Sequence, residues 1–308
     1  MALLYLSRNH RPQVWLPAIR QHLPDLEVFI WPEVPDPARV IFALCWAPPP
    51  GELRKYPNLR GVSSFGAGVE HILADPELPD IPICRIVDRL LTTGMTEYVV
   101  LSVLRHHRQL DRMLENQRAG RWQWFEPADT PNTTVGIMGL GELGRDAAMT
   151  LARFGFRIAG WSRTPKAVEG VDCHHGPAGL PAFLASCDYL VCLLPLTAET
   201  RGIINRETLA ALPRGAYVIN AGRGGHVVDE DLLAAIQSGH LDGATLDVFH
   251  REPLDPAHPF WTHPKITVTP HNASDSIPAS VSVQMADNIR RAYAGQQLLN
   301  VVDRSRGY

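Results

Sequence analysis

The chain has 308 residues, 45% of them hydrophobic and 20% charged, with a formal net charge of −3, a composition that gives core enough for one large or two medium domains. No Lys/Arg block suits a phosphate backbone, so nucleic acid is not an expected partner, and no run approaches the roughly 18 apolar residues of a membrane span. The opening MALLYLSRNHRP holds too short an apolar stretch for a secretory leader, so a cytoplasmic location is expected.

Short runs rich in Val, Ile and Leu alternate with helix-length amphipathic segments, the pattern of parallel strands joined by helical crossovers. The first stretch offers ALLYL (2–6), EVFI (27–30), RVIFAL (39–44), LRGVSS (59–64) and IPICRI (81–86), one small open α/β unit. The spacing of Tyr98, Leu101, Leu104, Leu110 and Leu114 then predicts one long helix from Gly94 to about Arg118. GRWQWFEPADTPN (120–132) reads as an ordered loop rather than a linker. A second unit follows with TTVGIMG (133–139), FRIAGW (156–161), DYLVCLL (188–194), AYVINA (216–221), GATLDV (243–248) and KITVTP (265–270). A last helix, about Pro278 to Ala294, comes after the second sheet is complete and is expected to return to the first unit. The fold class expected is α/β, with two Rossmann- or flavodoxin-like doubly wound parallel sheets and a cleft between them: residues 1–93 with 275–308, and residues 94–274.

The five cysteines are odd in number and lack CxxC spacing, so neither a disulfide framework nor a zinc knuckle is signalled. Cys173-His174-His175 is read as a surface loop, since three adjacent side chains rarely converge on one metal ion. No metal is expected.

Gly139-x-Gly141-x-x-Gly144 directly follows the strand TTVGIM and opens a helical pattern at Glu142. In that context the glycines serve a tight turn, close approach of a pyrophosphate and close helix packing, while N–H groups at the helix start, at Glu142 and Leu143, receive the anion. An acidic residue is expected about 20 positions on, to hold the adenosine ribose. Ser162 stands there instead, followed by Arg163 and Thr164, and these can donate to a 2′-phosphate that a carboxylate would repel. NADP(H) is therefore the expected cofactor, with NAD(H) possible in its place.

Three polar residues sit where strands of the second unit end: Arg223 in AYVINAGRGG, behind Ala221 and Gly222 of the same turn; Glu252 in ATLDVFHREPL; and His271 in ITVTPHNAS. Ligands of open α/β sheets bind at the carboxyl ends of strands. Together the three suit reduction of a carbonyl beside a carboxylate. His271 is then the general acid, Glu252 fixes its tautomer and raises its pKa, and Arg223 holds the carboxylate and polarises the keto oxygen. In the first unit, SSFGAGVEHI (63–72) places Gly66, Ala67 and Gly68 where their N–H groups can cradle that carboxylate.

SFGAGVEHI, GLGELG, WSRTPK, LLPLTAETRGIIN, LPRGAYVINAGRG, LDVFHREPL, TPHNA and VDRSRGY occur in that order along the whole chain. In these motifs it resembles the D-isomer-specific 2-hydroxyacid dehydrogenase family, and within it the glyoxylate/hydroxypyruvate reductase A branch. The resemblance implies a cytoplasmic homodimer that reduces small 2-oxo acids with NADPH, glyoxylate and hydroxypyruvate first. It further implies that Leu194, Pro195, Thr200, Ala221 and Gly222 border the cofactor and Asp247 holds the nicotinamide carboxamide. Trp46 is implied near the substrate. The helix and loop over 94–132 are implied as the dimer contact, with Trp122 reaching toward the partner. Asn272 departs from the aliphatic residue usual after the histidine. A reductase of bulkier 2-oxo acids and a non-enzymatic, dinucleotide-sensing corepressor-like protein are the alternative readings.

Overall fold

In chain order the first elements are β1 (Ala2–Leu6), α1 (Pro12–Arg20), β2 (Val28–Ile30), β3 (Val40–Cys45), β4 (Val62–Ser64), the short α2 (Glu70–Leu73) and β5 (Ile83–Cys84). β1 and β3 are buried along their whole length, as parallel strands covered on both faces must be. The computed structural model describes residues 1–307. These fall into two compact units, Met1–Leu91 with the segment from Asp275 onward, and Thr92–Ser274.

The first unit holds a five-stranded sheet in the order β2-β1-β3-β4-β5, every pairing parallel, which is a flavodoxin-like order. The C-terminal helix Pro278–Ala294 belongs to this unit. It opens on Pro278 and closes on Gly295 with φ +68°, the usual asymmetry of helix ends, and Val281, Met285 and Ile289 share a core with Leu16 and Ile19 of α1.

The helix expected from Gly94 begins earlier, as α3 (Arg89–His107), because the Asp88 carboxylate caps the N–H groups of Leu90 and Leu91. It also ends sooner. Gln109 takes a left-handed conformation (φ +53°), and a separate α4 (Leu110–Arg118) follows. Helical spacing continues across the break, so periodicity alone does not show it. What fixes α3's last turn is tertiary: His106 stacks on Tyr217 at 4.0 Å and hydrogen-bonds the Tyr189 hydroxyl (2.9 Å) and Asp242 (2.8 Å), while His107 reaches Thr130.

The second unit continues with β6 (Thr134–Met138), α5 (Glu142–Arg153), β7 (Arg157–Ser162), β8 (Asp172–His175), α6 (Gly176–Ala185), β9 (Tyr189–Cys192), α7 (Arg206–Ala210), β10 (Ala216–Asn220), α8 (Asp229–Gln237), β11 (Leu241–Leu246) and β12 (Ile266–Val268), with α9 the C-terminal helix above. Its parallel sheet has seven strands, not six, in the order β12-β11-β10-β9-β6-β7-β8. The added strand is the segment read as a surface loop, Cys173-His174-His175. Its polar, half-exposed residues carry no apolar run to announce a strand, yet its backbone pairs with β7 from Ala159 to Ser162. Successive side chains point to opposite faces there. Cys173 is the one cysteine not fully buried, and none of the five forms a disulfide. The strand order reverses between β6 and β9, the topological switch point where open α/β sheets bind ligands. Among the described residues no helix is long and apolar enough to cross a membrane.

Candidate active site

At the switch point β6 runs into the glycine fingerprint. Gly139 has φ +104°, a conformation that disfavours any side chain. Gly144 lies in the first turn of α5, where a Cβ would stand 1.9 Å from the Gly139 carbonyl oxygen. A Cβ on Gly141 would meet nothing within 4 Å, so the backbone at the start of α5 is open to an approaching group. First-turn N–H groups, at Glu142, Leu143 and Gly144, have no preceding intrahelical acceptor and favour an anion. These features fit a dinucleotide pyrophosphate.

β7 ends at Ser162, beside the fingerprint. The Ser162 hydroxyl donates to the Thr164 carbonyl at 2.8 Å, so its proton shapes the turn instead of pointing outward. Arg163 and Thr164 are exposed. Lys166, which the sequence reading left without a role, donates from Nζ to the Leu140 carbonyl at 2.7 Å and so brings a second cation to the same place. Glu199 is held below the usual carboxylate range by the Thr197 hydroxyl and by its own backbone N–H, with a smaller contribution from Arg163. Thr200 closes this neighbouring loop by donating to the Pro195 carbonyl (2.7 Å). Leu194 and Gly222 also meet, since a Cβ on Gly222 would lie 3.1 Å from the Leu194 carbonyl oxygen. Leu194, Pro195, Ala221 and Gly222 therefore follow neighbouring strands, β9 and β10, that pair in parallel.

Arg223, Glu252 and His271 follow β10, β11 and β12, which are adjacent and parallel. His271 Nδ1 and Glu252 Oε2 are 2.6 Å apart, each side chain 35% exposed. The other Glu252 oxygen accepts the Phe249 N–H at 3.0 Å. Hydrogen bonding to Glu252 raises the pKa of His271, against an opposing effect of burial; the charge of Glu252 adds to the rise and that of Arg223 opposes it. Burial alone would raise Glu252, but the hydrogen bonds from His271 and Phe249 outweigh it and hold the carboxyl low. Arg223 thus acts electrostatically on both partners.

The turn bearing Arg223 is fixed by residues that carry no signal in the sequence. Asn220 Nδ2 donates to the Arg223 carbonyl (2.9 Å), and the Arg223 N–H donates to His226 Nδ1 (3.0 Å). His226 Nε2 stands 3.3 Å from the Pro195 carbonyl, so the ring carries its proton on Nε2. Asn220 and His226 are fully buried. Gly224 packs the turn onto the Glu252 segment, since a Cβ there would lie 1.9 Å from the Phe249 carbonyl carbon.

Asp247 is 1% exposed, and its carboxylate turns toward the chain itself. Oδ1 accepts the Thr269 hydroxyl (2.6 Å) and the Asn272 N–H (3.0 Å), and Oδ2 accepts the Ala273 N–H (2.9 Å). Asp247 thus braces the turn that carries His271, a role beyond the nicotinamide contact that the family resemblance implies for it.

In the first unit, β4 leads into the second glycine loop. Gly66 donates its N–H to Ser64 Oγ (3.2 Å) and Ser64 donates to the Gly68 carbonyl (2.8 Å). The Gly66 N–H, expected to help cradle a carboxylate, instead closes the loop on Ser64. Trp46 lies over Gly66, with its ring 3.3 Å from where a Cβ would stand, and packs on His71 at 4.1 Å. His10 stacks on Phe65 at 4.3 Å, and burial pushes its pKa down to about 4.

A glycine fingerprint at the switch point and an Arg, Glu and His gathered at neighbouring strand ends define a dinucleotide-dependent oxidoreductase fold. A family model for "D-isomer specific 2-hydroxyacid dehydrogenase, NAD binding domain" matches residues 100–273, and the chain belongs to that family. It is 40% identical to the glyoxylate/hydroxypyruvate reductase A of Yersinia enterocolitica, over 100% of both chains, and 41% identical to that of Photorhabdus laumondii, over 96% of both. Among solved structures, a D-isomer specific 2-hydroxyacid dehydrogenase from Xanthobacter autotrophicus Py2, in complex with NADPH and MES, superposes with a TM-score of 0.95 at 46% identity, covering 100% of this chain and 99% of the other. The NADPH-dependent glyoxylate/hydroxypyruvate reductase of Sinorhizobium meliloti, in complex with NADP and sulfate, gives 0.93 at 40% identity over 100% of both.

Proposed function

We propose that the protein is an NADPH-dependent reductase of small 2-oxo acids, converting glyoxylate to glycolate and hydroxypyruvate to D-glycerate. The observation that carries this reading is the 2.6 Å contact between His271 Nδ1 and Glu252, made at the ends of adjacent strands with Arg223 acting on both. The relatives named for this reaction, and their complexes with NADP or NADPH, support it.

When bound, the dinucleotide supplies the hydride. Glu252 keeps the proton of the pair on Nδ1, which commits Nε2 of the imidazolium to donate to the substrate oxygen as it gains negative charge. Arg223 pairs with the substrate carboxylate through its guanidinium fork and polarises the carbonyl. In the first unit, Ala67 and Gly68, in the loop under Trp46, are assigned to anion binding through their N–H groups. Arg163, Thr164 and Lys166 receive the 2′-phosphate at the end of β7, with Ser162 holding the turn and adding no negative charge.

The protein works as a cytoplasmic homodimer. Leu101 on α3 is 61% exposed and Trp122 in the following loop 102% exposed, with Leu110, Met113 and Trp124 also open. Apolar residues grouped this way on one stretch of chain suit a partner surface.

The test is initial-rate oxidation of NADPH, and separately NADH, with glyoxylate, hydroxypyruvate and a longer 2-oxo acid. Strong preference for NADPH and the short acids is expected. Tight dinucleotide binding without turnover on any acid would overturn the reading in favour of a sensing protein.

A further inference from the structure

His271 has a backbone φ of +53°, the left-handed region that costs a non-glycine residue roughly 1–2 kcal/mol. Something must hold it there, and the contacts are specific. The His271 N–H donates to the Asp247 carbonyl (2.8 Å), and the next two N–H groups, of Asn272 and Ala273, donate to its carboxylate. Asp247 itself is oriented from one side by Thr269, at 2.6 Å, and Thr269 Oγ1 lies 2.7 Å from the Tyr98 hydroxyl on α3. A carboxylate can only accept, so Thr269 uses its proton on Asp247 and Tyr98 must donate to Thr269. The hydrogen bonds therefore run in one direction, from Tyr98 through Thr269 to Asp247 and the His271 turn.

We propose that Tyr98 and Thr269 are positioning residues for the general acid: they orient Asp247, which in turn holds the strained His271 backbone where Nδ1 meets Glu252. The inference rests on His271 being the acid. Burial pushes the Tyr98 hydroxyl up to about 12, so it stays a donor throughout the working range. All members of the chain lie in the second unit, and Tyr98 and Thr269 act at one remove from the substrate. Their effect is transmitted only through the geometry of residues 271–273.

The test compares Thr269→Val, which keeps shape and removes the hydroxyl, with Thr269→Ser, which keeps the hydroxyl. Displacing a catalytic group by a fraction of an ångström to one ångström costs up to about 100-fold in rate. Thr269→Val is thus expected to lower kcat for hydroxypyruvate by about 10- to 100-fold, leave the NADPH dissociation constant within about twofold, and be rescued by Thr269→Ser to within a few-fold. Tyr98→Phe, which removes only the outermost donor, should show a smaller loss in the same direction. In a His271→Ala background Thr269→Val should cost nothing further, since residues that act through one another are not additive. The proposal is overturned if Thr269→Val retains near-normal kcat, if Thr269→Ser is equally impaired, or if the loss lies in NADPH affinity. Near-normal turnover by His271→Ala alone would instead remove the reading of His271 on which the proposal stands.

Discussion

Replacing Glu252 with Gln keeps the size of the side chain and removes its charge. In the native site one carboxylate oxygen meets His271 Nδ1 at 2.6 Å and the other accepts the Phe249 N–H at 3.0 Å. A glutamine can offer an oxygen to only one of them, so its amide nitrogen must face either a protonated imidazole or a backbone donor. A charge-assisted hydrogen bond contributes roughly 1.5–3 kcal/mol, and with both side chains about a third exposed, solvent screening trims this to about 1–2 kcal/mol, a factor of about 5 to 30. The direction follows from His271. Its pKa is raised by the hydrogen bond to Glu252, reduction needs the protonated form, and activity is therefore present below that raised pKa and lost as pH rises through it. Without Glu252 the loss comes at lower pH. The assay is kcat for hydroxypyruvate at saturating NADPH from about pH 5.5 to 9.5, constant in ionic strength, where both limbs of the profile can be followed. Glu252→Gln should lose about 5- to 30-fold near pH 8 and less in acid. An alkaline limb superimposable on that of the native enzyme would refute the coupling of the two residues.

Ser162→Asp sets a carboxylate at the end of β7, the proposed seat of the 2′-phosphate, and should lower kcat/KM for NADPH relative to NADH by at least about tenfold; an unchanged ratio would show that the phosphate lies elsewhere. Gly144→Ala forces a methyl to within 1.9 Å of the Gly139 carbonyl oxygen, so it should cost about 1–3 kcal/mol or more of stability and weaken NADPH binding. Thermal melts and dinucleotide titration check this, and a variant native in both would mean the helix can shift at little cost. Leu101→Glu, on the exposed face of α3, should convert a dimer to monomer in sedimentation without lowering the melting temperature of the isolated subunit. An intact dimer would place the contact elsewhere.

The strands were legible where they are buried on both faces, as in ALLYL and AYVIN, because such strands must be apolar throughout. The edge strand β8 was not, since it is polar and half-exposed and is held by backbone pairing with β7. The early start of α3 turns on the single capping side chain of Asp88, and its end on contacts of His106 with Tyr189 and Asp242, residues more than 80 positions away that no local pattern links. The candidate site shows the same division. Arg223, Glu252 and His271 stand out because polar residues directly after apolar strands are conspicuous. Asn220 and His226 brace Arg223 across only three residues, but as lone polar residues with no motif to mark them, whereas Thr269 and Tyr98 act through long-range hydrogen bonds that only folding brings together. Ser162 was legible as the absence of a carboxylate, while the direction of its hydroxyl depends on the turn it closes with Thr164.

The distribution of thiols has a practical consequence. Cys45, Cys84, Cys187 and Cys192 are sealed in the interior, and Cys173 alone has partial access to solvent. Cys173 is paired across the sheet with Gly160, two residues before Ser162. A maleimide dye applied to the native chain, with no engineered cysteine, should therefore attach at one place. That place is on the edge strand beside β7, whose end carries the proposed 2′-phosphate residues, so the dye is expected to report dinucleotide arrival optically while leaving the residues around His271 untouched.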